Sequence, residues 1–280
     1  HQLLAAGHRV TVVDTLYSGH RWAVPAEADF HQIDAGDQVA MTGLMKSRKF
    51  DAVIHFAGPI VVPESVADPG KYYQNNVVGS LNLIECCRQA GIGLFVFSSS
   101  AAVYGNPKKV PVTEDAETRP INPYGRTKLI TEWTLNDFAR RSASNRALRY
   151  VALRYFNVAG ARLDGTLGQA TPEATHLIKV ACEAACGKRD AVSIFGTDYD
   201  TPDGTCIRDY IHVEDLAYTH VCALTHLADG GDSQVLNCGY GRGFSVRDVL
   251  ETVQKVSGRE IAIIETGRRS GDPAELVADN

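Results

Sequence analysis

Directly behind an Asn-Pro pair, "NPYGRTK" (122–128) sets a tyrosine and a lysine four residues apart, on one helix face. Asn122 suits an N-cap, and Pro123 suits the first helical position, where its missing N–H would be an orphan anyway. Alone, the motif is no more than an ordinary helix start. Upstream, "FVFSSSAAVYG" (95–105) ends an apolar run in three serines. At a strand's carboxyl end these place hydroxyls in the crevice where α/β sheets bind ligands. Any single serine reads as a polar loop start. In company, Ser100, Tyr124 and Lys128 can meet at one spot beside a nicotinamide. A phenol titrates at ~10, too high for a general base at neutral pH. A neighbouring ammonium and a positive nicotinamide both favour the phenolate, and Lys128 can also bond the nicotinamide ribose. With Ser100 holding the substrate oxygen, the trio can remove a hydroxyl proton while a hydride leaves the same carbon for NAD⁺.

Such a trio needs a sheet to position it. "RVTVVD" (9–14), "FHQID" (30–34), "AVIHFAG" (52–58), "GLFVFSSS" (93–100) and "RYVALRYFN" (149–157) read as strands, and 37–48, 68–90 and 123–141 as helices. Apolar β-branched runs alternating with helices predict a Rossmann-like, doubly wound parallel sheet with right-handed crossovers. After about Asn157 the rhythm changes. A Gly-rich loop leads to a helix over 171–187, then to loops and short elements mounted on the sheet, with "QVLNCG" returning a strand near 235–239. We expect a cofactor domain over 1–160 and a smaller mixed α/β substrate-binding region over 161–280.

A chain of 280 residues with 44% hydrophobic and 22% charged residues has the composition of an ordinary globular protein. The net charge of -5, with no basic stripe, argues against a nucleic-acid binder. No apolar run approaches the ~20 residues that span a bilayer. Seven cysteines, with no C-x-x-C among them, read as buried thiols in a reducing cytosol rather than as a zinc site or disulfide framework. "HQLLAAGHRV" reads as a helix end closed by Gly7, without an initiator methionine or signal peptide. We expect a piece trimmed at both ends.

Further positions could hold a dinucleotide. Asp14, at a strand's end, can bond the adenosine ribose, or simply cap a turn. Phe56-Ala57-Gly58 leaves a strand through small residues that admit a flat ligand, or merely form a tight turn. Asn75 or Asn76 could bond a ligand or sit exposed on a helix.

Together with these, "FSSSAAVYG", "NPYGRTK", "LRYFNVAGA", "IFGTDYDTPDGTCIRDYIHVEDLA" and "GRRSGDPAELVAD" resemble the UDP-glucose 4-epimerase family of extended short-chain dehydrogenase/reductases. The likeness runs from Asp14 to Asp279, without the family's N-terminal glycine-rich loop and C-terminal tail. It implies a cytoplasmic, homodimeric, NAD-dependent isomerase of galactose metabolism, acting on UDP sugars. Tyr124 would be the acid/base, Lys128 its electrostatic partner and Ser100 the substrate-side hydroxyl. The family also implies cofactor contacts from Asp14, Asp34, Ala35, Phe56, Ala57, Gly58, Asn75, Tyr124, Lys128 and Phe156. For the nucleotide sugar it implies Ser100, Tyr124, Asn157, His176, Leu177, Ser193, Ile194, Phe195, Arg208 and Arg269. Arginine suits a diphosphate because it is always charged and offers planar, paired donors.

Three positions depart from the family pattern. His176 replaces a frequent Asn, Ile60 a Lys, and Leu276 falls where a Tyr or a smaller residue gates N-acetylated sugars. Among rival readings, a dehydratase or decarboxylase needs a carboxylic acid beside the serines, where this chain has Ala101 and Ala102. A 4-epimerase of another UDP sugar (N-acetylhexosamine, pentose or uronic acid) stays open. The intact trio argues against a silent NAD-binding module.

Overall fold

The structure, a computed structural model, describes residues 1–140, 148–171 and 174–279. After α1 (Gln2–Ala5), β1 (Thr11–Val13) and β2 (Asp29–His31) pair in parallel. Helix α2 (Gln38–Ser47) starts where the Asp37 carboxylate accepts the Val39 and Ala40 amides. It leads to β3 (Ala52–His55), α3 (Val62–Ala67) and α4 (Pro69–Tyr72). The helix expected over 68–90 is a succession: α4, a π-helical stretch Tyr73–Gly79, then α5 (Ser80–Ala90), which ends at Gly91 with φ 73°. Next come β4 (Leu94–Ser98), α6 (Pro123–Arg140), β5 (Arg149–Tyr155) and β6 (Asn157–Ala159). The remainder is α7 (Leu177–Ala185), β7 (Val192–Phe195), β8 (Ile207–His212), α8 (Val213–Ala228), β9 (Gln234–Cys238), β10 (Gly243–Ser245), α9 (Val246–Ser257), β11 (Ile263–Thr266) and β12 (Glu275–Leu276).

A four-stranded parallel sheet runs β3-β4-β5-β9, so 234–238 does return to it. Side-chain alternation along β4 explains its layering. Phe95 and Phe97 face Met41, Leu83, Ile84 and Leu135 from α2, α5 and α6, while Val96 faces Ala223 and Leu227 of α8. Helices thus cover both faces, as a doubly wound parallel sheet requires.

The second half is more regular than its sequence suggests. α8 and α9 are full helices rather than loops and short elements. Around β8 gather β10, antiparallel, with β6 and β12, parallel. The fully buried Asp209 ties this hub, accepting the Tyr240, Gly241 and Ala278 amides at 2.9, 2.9 and 3.2 Å. α7 begins at Leu177, later than the expected 171; residues 172 and 173 of that expectation lie outside the described residues, as does 141 at the end of the helix expected over 123–141. The cysteines correct another expectation. All seven are free, but Cys182, Cys186 and Cys222 are exposed: Cys182 and Cys222 fall on the outer faces of α7 and α8, and Cys186 caps the end of α7.

Candidate active site

The site forms where β4 ends and α6 begins. Asn122 Oδ1 accepts the Gly125 amide at 2.8 Å, and this cap fixes the first turn of α6. Gly125 lets that turn lie on the 3₁₀ turn Ala101–Val103: a Cβ there would stand 2.5 Å from the Ala102 carbonyl oxygen. The close approach brings Tyr124 to Ser100, whose Oγ also accepts the Ala102 amide at 3.2 Å. Burial raises the Tyr124 pKa, and a hydrogen bond from Ser100 pulls it partly back. The sequence led us to expect Lys128, together with a bound nicotinamide, to lower it. Lys128 Nζ donates to the Ser98 carbonyl at 2.9 Å and lies 5.8 Å from the Tyr124 ring centroid. Burial brings Lys128 itself down to about 8, opposed by the Glu132 charge.

The three serines were expected to share the crevice, but they have three different partners. Ser100 alone faces Tyr124. Ser99, fully buried, donates to Glu132 Oε1. Ser98, also fully buried, lies 2.8 Å from His220 Nε2; the other ring nitrogen, Nδ1, donates to the Leu216 carbonyl, so Nε2 accepts the serine proton. His220 in turn carries the Phe56 ring, 4.7 Å away.

Every expected cofactor residue outside α6 follows the carboxyl end of a strand, or lies on the helical stretch after β3. Asp14 follows β1, Asp34 and Ala35 follow β2, Phe56-Ala57-Gly58 follows β3 and Phe156 follows β5. Asp14, Asp34 and Phe56 to Gly58 are exposed. The Asp14 and Asp34 carboxylates hold turns of their own, accepting the Leu16 and Gly36 amides at 2.6 and 2.7 Å. Asn75 is exposed and donates to the Lys71 carbonyl, whereas its neighbour Asn76 is buried and bonds Pro59 and Thr127. Asn76 Oδ1, buried without a partner, stands 2.3 Å from where a Gly58 Cβ would lie, at φ +128°. Carboxylates at one end, a Cβ-free approach in the middle and a phenol with an ammonium at the other make a set that fits NAD.

A cleft of 1320 Å³ opens beside Tyr124. It is lined by Ser100, Phe156, Asn157, His176, Arg208 and Arg269 among others. Leu177, Ser193 and Phe195 also reach it, as do Ile60 and Leu276, while Ile194 does not: its side chain is fully buried in the core between α7 and α9. Neither salt bridge that could have occupied Arg208 forms. Its Nη1 donates to the Ile207 and Ala274 carbonyls, Asp209 serves backbone amides, and Asp215 accepts the Tyr240 hydroxyl. Arg269 pairs with Asp272 at 2.9 Å and lies 5.1 Å from the Phe195 ring centroid. His176 Nδ1 is 2.7 Å from Gln169 Nε2, and burial, then the Arg269 charge, lowers its pKa.

Sequence reasoning missed His55, Glu132, Arg154 and His220, and left Asn75 and Asn76 undivided. A signal existed for Glu132: it continues Tyr124 and Lys128 at the next four-residue step, so it shares their buried face.

Comparison with known proteins agrees with this geometry. Residues 1–239 match the model of the NAD dependent epimerase/dehydratase family. The chain is 55% identical over 278 residues to a UDP-glucose 4-epimerase of Azospirillum brasilense, covering 99% of this chain and 79% of that one. It is 45% identical to a UDP-glucose 4-epimerase of Lactobacillus helveticus, over 100% of this chain and 83% of that one. Among solved structures, the UDP-glucose 4-epimerase of Brucella ovis in complex with NAD superposes with a TM-score of 0.94 at 46% identity, over 99% and 84% of the two chains. The UDP-Glc/GlcNAc 4-epimerase of Campylobacter jejuni gives 0.82 at 48% identity, over 99% and 85%. The chain belongs to the NAD dependent epimerase/dehydratase family.

Proposed function

We propose that this chain is an NAD-dependent UDP-glucose 4-epimerase, interconverting UDP-galactose and UDP-glucose in galactose metabolism. The observation that carries the reading is the Ser100, Tyr124 and Lys128 set beside a cleft whose lining includes Arg208 and Arg269, with Ala101 and Ala102 where an eliminating enzyme needs an acid. NAD, when bound, would supply a hydride acceptor and a positive charge. Tyr124 takes the proton from the sugar O4 as C4 is oxidised, and returns it when the 4-keto sugar is reduced on its other face. Ser100 holds O4 through its hydroxyl. Lys128 keeps a positive charge near the phenol and offsets the cost of the phenolate in a buried site. Arg208 and Arg269 bind the diphosphate, leaving the sugar free to turn between the two half-reactions.

In the same reading, Asp14, Asp34, Ala35, Phe56 to Gly58, Asn75 and Phe156 hold the cofactor, and Asn157, His176, Leu177, Ser193 and Phe195 hold the nucleotide sugar. Residues 1–160 form the cofactor domain and 161–280 the sugar-nucleotide region. Free cysteines throughout support a cytoplasmic location. A homodimer built on the helical succession over 68–90 and on α6 accounts for the apolar Val78, Leu81 and Trp133 left exposed there. Leu276, at the cleft and intermediate in size between tyrosine and the smaller residues, makes acceptance of N-acetylated UDP sugars the second question to test. The test is incubation of the NAD-loaded protein with UDP-galactose, and separately with UDP-N-acetylgalactosamine, following the glucose epimers. UDP-glucose formation is expected; none, with NAD bound, would remove the assignment.

A further inference from the structure

One buried charge pair has no part in the chemistry described so far. Glu132, on α6 one turn beyond Lys128, is only 4% exposed. Arg154 of β5 donates to both its oxygens, from Nε at 3.0 Å and from Nη2 at 2.7 Å, and the Ser99 hydroxyl donates to Oε1. The remaining Arg154 donor, Nη1, reaches the Tyr104 hydroxyl at 2.9 Å and the Glu114 carbonyl at 3.1 Å. The network is thus satisfied on every side. Stability is a weak reason for it, since a buried ion pair is often replaceable by apolar residues of similar volume at no loss. Its position suggests another. Around Lys128 stand Tyr124 on its own helix, neutral His55 from β3, the Phe97 ring and Ser98 carbonyl of β4, and Glu132, with Arg154 behind it. Among these, Glu132 is the acid whose field supports the ammonium against its burial.

We propose that Glu132 is a positioning residue that keeps Lys128 charged and seated. Its carboxylate supports the ammonium, and its bond from Ser99 holds the strand end whose Ser98 carbonyl receives that ammonium. The effect on turnover rests on the epimerase reading; the effect on the charge of Lys128 does not.

Glu132→Gln removes the charge and keeps the shape. The alkaline limb of kcat/KM against pH should then move down by about one pH unit, the lower end of what a nearby opposite charge exerts. The titration of Lys128 Nζ, followed by NMR on the NAD-loaded protein with labelled lysine, should move with it. Ser99→Ala keeps both charges and loses only the bond to the strand end, so it should move the titration less than Glu132→Gln does. If Glu132→Gln strands Arg154 and unfolds, Glu132→Gln combined with Arg154→Met removes the pair together, and the Nζ titration must still fall. An unmoved Nζ titration in whichever of these variants folds overturns the proposal, and so does a Ser99→Ala shift as large as that of Glu132→Gln. A wild-type protein inert toward UDP-galactose would remove the epimerase reading, while the Nζ titration would still decide this one.

Discussion

Acid should loosen this fold through buried histidines, His55 above all. It ends β3 immediately before the Phe56-Ala57-Gly58 turn, its Nε2 is 2.8 Å from Ser80 Oγ, and its ring stacks on Phe97 at 5.7 Å. Burial first, and the Lys128 charge second, lower its pKa from 6.5 to about 3. The folded protein therefore keeps His55 neutral at a pH where the unfolded chain takes up a proton. The stability this contributes is whole above pH 6.5 and is lost as the pH falls from 6.5 toward about 3. Each pH unit inside that window costs about 1.4 kcal/mol, so going from about pH 7 to pH 5 costs about 2 kcal/mol from this residue. That loss hardly depends on the folded value, provided it stays well below 5. Against a typical stability of about 5–15 kcal/mol it is large. Urea unfolding at the two pH values measures it, with His55→Gln as the reference that cannot titrate. His176 and His220, whose pKa values are also lowered by burial, act in both proteins and cancel in the difference. The variant should start less stable but lose about 2 kcal/mol less on acidification. Equal losses in the two proteins would refute the reasoning.

Two further outcomes follow from close contacts and from charge. Gly125→Ala should lower both thermal stability and kcat, although alanine is the better helix former by about 1 kcal/mol. Its Cβ would meet the Ala102 carbonyl at 2.5 Å and push Tyr124 away from Ser100, so a rise in melting temperature with unchanged kcat would contradict the account. Arg208→Ala and Arg269→Ala should each raise KM for the UDP sugar about 10- to 100-fold with little change in kcat, since each removes charged hydrogen bonds remote from C4; steady-state kinetics reads the split.

How far the sequence alone reached depended on whether a signal was local. β4 and the start of α6 were legible because strand period, cap and proline all lie within a few residues of one another. The partners of the serines were not. Ser98 meets His220 and Ser99 meets Glu132, contacts 122 and 33 residues away along the chain. β8 was hidden because "IRDYIH" carries charges in a strand, Arg208 turned to the cleft and Asp209 satisfied by distant backbone amides. α9 had a readable signal that went unused. Ser245 and Asp248 form a capping box ahead of Val246, Val249, Leu250 and Val253, a helical spacing. The burial that raises the Tyr124 pKa was hidden for a different reason: spacing tells which charge lies near, but not how deeply the phenol is buried.

The central claim is that Tyr124 moves the proton at O4. Tyr124→Phe, purified with NAD and given UDP-galactose, tests it most directly. The account predicts a variant that folds and retains NAD, with UDP-glucose formation reduced about 10²- to 10⁴-fold, the usual contribution of a positioned acid/base. Turnover at the wild-type rate would contradict it.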